Sequence, residues 1–215
     1  MSVVAFVPIK LSNQRLPGKN VLPLGGKPLC AHVFEALLQV RGIDRVVAYC
    51  SDEALIEYLP QGVEFLKRSP ALDGSTVKGI DIYRAFLADV EADVYVLAHA
   101  TSPFTSPASF QTGLDAVLSG QHDSAFSAER IQTFVWYQGT PLNYAFEDVP
   151  RTQDIEPVWV ETSGFYIFRR EVMAQHGRRI GFAPKLVEVA GLETVDVDEP
   201  KDYEMAKRMI GEIDG

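Results

Sequence analysis

The chain predicts an α/β fold built on an open, mostly parallel sheet flanked by helices. Short β-rich apolar runs alternate along it with segments of helical period, which is the pattern of βαβ crossovers. Proline opens and glycine closes two of the helical segments, at Pro28 and Gly42 and at Pro107 and Gly120. At 215 residues, with 47% hydrophobic and 23% charged residues, the chain can bury one substantial core. One domain over 1–215 is the resulting expectation.

The strand candidates are Val3 to Ile9, Arg45 to Cys50, Val63 to Leu66 and Val94 to Ala98. Between them, Pro28 to Arg41 begins with proline and stops at Gly42, and Thr76 to Leu87 sets Val77, Ile80, Tyr83 or Arg84, and Leu87 at helical spacing. Ser106-Pro107 reads as an N-cap and a first-turn proline for a helix carrying Phe110, Leu114, Val117 and Leu118, with its end at Gly120. From Ser124 to about Trp159 the pattern breaks into short mixed segments rich in aromatics: Phe126, Phe134, Trp136, Tyr137, Tyr144, Phe146 and Trp159. The parallel pattern is expected to return at Gly164 to Phe168. A last helix from about Pro200 carries the stripe Tyr203, Ala206, Met209 or Ile210, and Ile213.

The charge balance disfavours some partners. With 20 Lys and Arg against 29 Asp and Glu, net −9, the chain is not expected to present the basic face that broad binding of duplex nucleic acid or an anionic membrane needs. A small-molecule partner is expected. Cys30 in a helix and Cys50 at a strand end read as buried thiols of a reducing cytoplasm. The amino terminus enters a strand by Val3 without a basic segment or long apolar run, so neither a signal peptide nor a membrane span is expected.

Against that acidic background, the first strand runs into a basic, turn-rich connection holding Lys10, Arg15 and Lys19. Backbone amides after a strand can bind phosphate oxygens, and the cations can neutralise the remaining charge. Gly18 permits close backbone approach. Neither Gly-x4-Gly-Lys-Ser/Thr nor Gly-x-Gly-x-x-Gly is present, so the loop is not one of the common nucleotide cradles. By itself the loop reads equally well as a solvated basic turn.

In context, the loop resembles that of sugar-activating cytidylyltransferases, in which Pro-x-Arg leads through small residues to Leu/Ile-Pro-Gly-Lys. Pro8 to Lys19 matches that spacing without a gap. Lys19-Asn20 is similar to the acylneuraminate branch (CMP-sialic acid synthetases), while Arg15-Leu16-Pro17-Gly18-Lys19 equally resembles CMP-Kdo synthetases. Further matches run from about residue 3 to 207 and favour the acylneuraminate branch. They are Arg68-Ser69-Pro70 with Asp73-Gly74-Ser75-Thr76, Ala100-Thr101-Ser102-Pro103, Asp123 to Ala128, Arg151-Thr152-Gln153-Asp154, Glu161 to Tyr166, and Val195-Asp196-Val197-Asp198.

The resemblance implies a Rossmann-like sheet of the nucleotide-diphospho-sugar transferase type, with a small mixed subdomain at about 124–163 that forms a homodimer and reaches toward the neighbour's site. It implies Lys10, Arg15, Lys19 and Arg151 as catalytic, and Pro8, Ile9, Asn13, Asn20, Arg68 and Ser75 around the nucleotide. His99, Thr101, Ser102, Arg130, Gln153 and Glu161 would meet the sugar, and Asp196 and Asp198 would hold Mg²⁺. The chain departs from the family at Lys10 for arginine, Leu11 for a small residue, His99 for glutamine, Thr105 for an arginine and Thr162-Ser163 for Asn-Gly. Most of these departures fall toward the sugar side.

Each residue also has a plainer reading. On a strand, Asp196 and Asp198 would face one way, and a hard cation would relieve their repulsion; alternatively Asp198 only favours the positive end of the last helix. His99 sits at the carboxyl end of a strand, where open α/β sheets bind ligands, or is simply a core or surface histidine. Arg151 could clamp an anion in two hydrogen bonds or be an exposed loop residue; Arg130 is balanced in the same way. The aromatics suit a protein interface better than a base-stacking platform, with core packing as the alternative.

The expected reaction is nucleotidyl transfer from CTP to an acidic, sialic-acid-like nonulosonic sugar, releasing pyrophosphate. Alternatives are a cytidylyltransferase for Kdo or another sugar, a non-catalytic nucleotide-binding homologue, and a dinucleotide oxidoreductase, which the absent glycine fingerprint disfavours. No general base is assigned.

Overall fold

Val3–Ile9 (β1) is apolar throughout because both of its faces are covered: Val3, Ala5, Val7 and Ile9 enter one core cluster, Val4 and Phe6 the other. The same two-faced burial repeats in Arg45–Cys50 (β2) and Val94–Ala98 (β4). Between these lies Val63–Lys67 (β3), and Ser124–Ile131 (β5), Val158–Arg169 (β6) and Pro184–Glu188 (β7) complete the sheet. A computed structural model describes residues 1–213, with side chains through 211. The predicted contribution of Ile213 to the last helix's stripe therefore lies outside the described residues.

The seven strands lie in the order β7-β5-β6-β4-β1-β2-β3. Neighbours are parallel except at β6, which runs antiparallel to both β4 and β5. This corrects the expected return of the parallel pattern at Gly164 to Phe168. A parallel return needs a crossover, usually helical, and the chain between Ile131 and Val158 offers only two-residue hairpin strands and a 3₁₀ turn. It comes back beside β5 instead, with Val158 opposite Ile131.

Leu29–Leu38 (α1) and Pro107–Leu118 (α3) cover one sheet face; Gly79–Asp89 (α2) and Arg170–His176 (α4) cover the other. On the α2 face Phe86 stacks on Phe6 with centroids 4.1 Å apart. The Ser106 hydroxyl accepts from the Ser109 amide at 3.1 Å, as the predicted cap requires, with Pro107 in the first turn. Two helices are shorter than expected. α1 stops at Leu38 rather than Arg41, and α2 starts at Gly79 rather than Thr76, because Lys78 is extended and the Asp81 carboxylate accepts from its amide.

Pro200–Ile213 (α5) closes the chain against the hairpin Pro23–Leu24 and Lys27–Pro28. Leu24, Leu29, Val195, Val197 and Ala206 form a third apolar cluster there, joined by Leu16 and Tyr203. This small core positions the two late aspartates. Among the described residues no helix is long and apolar enough to cross a membrane. Cys30 and Cys50 are buried and unbonded, and burial pushes the Cys30 thiol up to about 12.

Candidate active site

Leaving β1, the chain forms an open loop tied at both ends: the Asn20 side-chain amide donates to the Lys10 carbonyl at 2.8 Å. Gly18, at φ 65°, sets the left-handed step that starts the 3₁₀ turn Lys19–Val21. The turn carries Lys19 inward, where its ammonium donates to the Val197 carbonyl at 3.1 Å and to Oδ1 of Asp198 at 2.6 Å. Arg15, on the exposed crest, donates to Oδ2 of the same carboxylate at 2.9 Å.

The loop faces the start of α2 across a cavity of about 480 Å³ at the carboxyl end of β1. Pro8, Ile9, Lys10, Asn13, Arg15, Lys19, Arg68, Ser75, His99 and Asp198 all line it. Arg68 is buried and paired with Asp73 at 2.6 Å, while its Nε has no partner; Lys10 donates to the Asp73 carbonyl at 2.6 Å. Asp73 thus braces two cations at once. The buried Oδ1 of Asn13 also lacks a partner, and buried polar atoms of this kind ordinarily find one.

The segment 195–198 is extended, though not part of the sheet. Val195 and Val197 point into the third cluster, and the Val197 amide donates to the Thr101 carbonyl at 2.7 Å. The two carboxylates consequently sit in different environments. Burial pushes Asp196 above the usual carboxylate range, with the Thr101 side chain opposing and Asp198 reinforcing; its buried Oδ1 is unpartnered. Burial acts on Asp198 too, but Lys19 and Arg15 outweigh it and hold that group below the usual range. Both are hard oxygen donors suited to a divalent cation. Among the described residues no group of three or more His, Cys, Asp and Glu side chains is placed to hold a metal ion.

His99 lines the cavity together with Tyr83. Its Nδ1 contacts the Ser163 carbonyl, which can only accept, so the proton resides on Nδ1. Nε2 is then free to accept from the Tyr83 hydroxyl at 3.2 Å. Burial pushes His99 below the usual histidine range, opposed by the Ser163 carbonyl and reinforced by the nearby Arg179 charge. Ser163 adopts φ 60° at a register shift between Glu161 and Tyr166, a bulge of the sort that re-aims groups beside active sites.

Other predicted residues stand apart from the cavity lining. Asn20 serves the loop's own closure, and Ser102 is buried with an unpartnered hydroxyl. Arg151 pairs with Asp154 and Arg130 with Gln132 Oε1, both exposed; Gln153 is exposed on the arm and gives its carbonyl to Gln132. Glu161 accepts from the Tyr166 hydroxyl at 2.7 Å. Tyr83, Asp73 and Arg179 were not among the predicted site residues. Asp73 lies inside a motif already noted, and Tyr83 lies on a predicted helix face, but Arg179 carries no local signal.

A cytidylyltransferase family model matches residues 4–208. The chain belongs to the cytidylyltransferase family. Among curated cytidylyltransferases, it is 22% identical over 214 residues to the N-acylneuraminate cytidylyltransferase of Streptococcus agalactiae, covering 94% of this chain and 52% of that protein. It is 26% identical over 188 residues to the 3-deoxy-manno-octulosonate cytidylyltransferase of Escherichia coli, covering 81% of this chain and 75% of that protein. The chain thus spans about half the length of the N-acylneuraminate relative. In fold it is similar to a CMP:2-keto-3-deoxy-manno-octonic acid synthetase solved with CTP, at a TM-score of 0.72 and 20% identity, covering 99% of this chain and 100% of that one.

Proposed function

We propose that this cytidylyltransferase-family chain transfers CMP from CTP to an acidic nonulosonic, sialic-acid-like sugar and releases pyrophosphate. One observation carries the reading: Lys10, Arg15 and Lys19 converge with Asp198 on a single cavity in a chain of net charge −9. The acceptor hydroxyl oxygen forms a bond to the α-phosphorus, the bond from that phosphorus to the pyrophosphate oxygen breaks, and the hydroxyl proton departs to a base not identified among these residues.

The cationic loop binds the triphosphate and stabilises the charge that builds on the departing pyrophosphate. Arg15 and Lys19 exchange their bonds to Asp198 for bonds to phosphate oxygens. Arg68 and Ser75, near the start of α2, face the nucleoside, and His99 with Tyr83 orients the acceptor. Asp196 and Asp198 would hold a magnesium ion, which when bound neutralises and aligns phosphate oxygens. The partnerless Oδ1 of Asp196 supports that assignment.

The arm at about 124–163 is assigned to a homodimer. Phe134, Trp136, Tyr137, Phe146 and Trp159 are exposed on it, an apolar surface that a second copy would cover. Arg151 and Gln153 lie on this arm, away from their own chain's cavity, and in a dimer they would serve the neighbour's site. The buried, free cysteines accord with a cytoplasmic setting.

The test incubates purified protein with each of the four nucleoside triphosphates, magnesium and a panel including N-acetylneuraminate and Kdo, following pyrophosphate. CTP-dependent release with an acidic sugar is expected. Release with no acceptor, or with another triphosphate only, refutes the reading.

A further inference from the structure

Arg179 does not itself line the cavity, but it adjoins Tyr83, which does. It lies in the connection after α4, where its guanidinium covers the Tyr166 ring at 3.7 Å and donates to the Tyr166 hydroxyl at 2.9 Å. Glu161 is 3.6 Å away, beyond good hydrogen-bond reach, and its Oε2 already accepts from Tyr166. A guanidinium has five N–H donors in a fixed plane. Few of them are spent here, and 31% of the side chain remains in solvent. The guanidinium also adjoins the Tyr83 hydroxyl: burial pushes that group up, and the Arg179 charge acts against the push. Tyr83 and His99 in turn line the cavity.

Beside His99 the cavity already carries the negative charge of Asp198, with Asp196 close by, and in the proposed reaction the loop cations are committed to phosphate. Binding a second anion there needs another positive group. Within the chain, the Arg179 charge reaches both Tyr83 and His99, whereas Arg130 and Arg151 are exposed and pair with Gln132 and Asp154. We propose that Arg179 is the specificity residue for the acceptor's carboxylate, with Tyr166 holding the guanidinium plane in place. Planar, two-point pairing with a carboxylate is what a stacked arginine supplies and a lysine does not. This inference rests on the proposed cytidylyl transfer to an acidic sugar.

The experiment is calorimetric titration of the full chain with N-acetylneuraminic acid, Kdo and their carboxyl methyl esters, using wild type, Arg179→Gln and Arg179→Lys. CTP is titrated separately into each sample. Wild type is expected to prefer at least one acid over its ester, and Arg179→Gln to weaken that acid about tenfold or more, the scale of losing a charged hydrogen bond. Ester and CTP affinities should be unchanged, and Arg179→Lys should recover only part of the loss. Equal weakening of acid and ester, acid affinity unchanged in Arg179→Gln, or no binding of either acid by wild type overturns the assignment. If Arg179→Gln does not fold, an acid preference undiminished in Arg179→Lys overturns it as well. Loss of CTP binding in wild type would refute the nucleotide reading separately, leaving the comparison of acid with ester intact.

Discussion

Lys19 and Asp198, 179 residues apart in the chain, are joined at 2.6 Å through an ammonium that keeps only 10% of its side chain exposed. Arg15 takes the other carboxylate oxygen at 2.9 Å. The aspartate therefore holds both loop cations in place at the cavity, and their charges favour its ionised form.

Asp198→Asn and Arg15→Ala should each lower turnover by about 10²–10³, by analogy with removing one oxyanion-site contact. The Arg15 pair is largely exposed and worth about 0–1 kcal/mol to the fold, so the urea midpoint of Arg15→Ala should barely move, whereas Asp198→Asn also leaves the buried Lys19 ammonium without its carboxylate and should lower it. Pyrophosphate release and unfolding curves on the same preparations measure both. Near-wild-type turnover in either variant would remove that residue from the mechanism.

Ser163 holds a left-handed conformation that costs a side-chain-bearing residue about 1–2 kcal/mol. Ser163→Gly should relieve it, partly offset by glycine's freedom in the unfolded chain, for a net gain of up to about 1 kcal/mol. Ser163→Val should destabilise, because a branched Cβ resists φ near 60°. Chemical denaturation decides. A valine variant as stable as wild type would mean the bulge relaxes freely.

Asp123 fastens the connection that follows Arg179. Its Oδ2 accepts from the Phe182 and Ala183 amides at 2.6 and 3.1 Å, and the Ser124 hydroxyl donates to Oδ1 at 2.8 Å. Burial opposes ionisation, but these bonds prevail and hold the group below the usual carboxylate range. A depressed folded value means the stabilisation is present above the unfolded value, about 3.9, and is lost as pH falls through the folded one. The melting-point gap between wild type and Asp123→Asn should therefore be full near neutrality and close in acid below about pH 4. A gap that does not change with pH would sink the argument.

Trp136 and Phe146 form an edge-on pair, 5.6 Å between centroids, on the exposed side of the arm. Replacing both with serine should shift sedimentation from dimer to monomer and leave the far-ultraviolet spectrum unchanged. Persistence of a dimer would place the interface elsewhere.

Much of this was readable from chain-local physics. Val3–Ile9, Arg45–Cys50 and Val94–Ala98 agree at both ends with the predicted strands, because runs buried on both faces must be apolar throughout. Ser106 and Pro107 announce α3 through groups that act within four residues. The loop cations stand out because they contradict the chain's overall charge, and all three line the cavity.

Other features had no local signature. β7 reads Pro-Lys-Leu-Val-Glu, too short and mixed to announce a strand, and it forms because the free edge of β5 pairs with it. The reversal of β6 follows from how the arm between Ile131 and Val158 returns, and Arg179 meets Tyr166 only because α4 and its connection pack there. Composition and periodicity are properties of neighbouring residues, so they settle which segments are strands and helices and which loop gathers cations. Strand direction, the pairing of Lys19 with Asp198 and the company of Arg179 arise from contacts between distant segments, where backbone pairing and burial are satisfied only once the whole sheet has assembled.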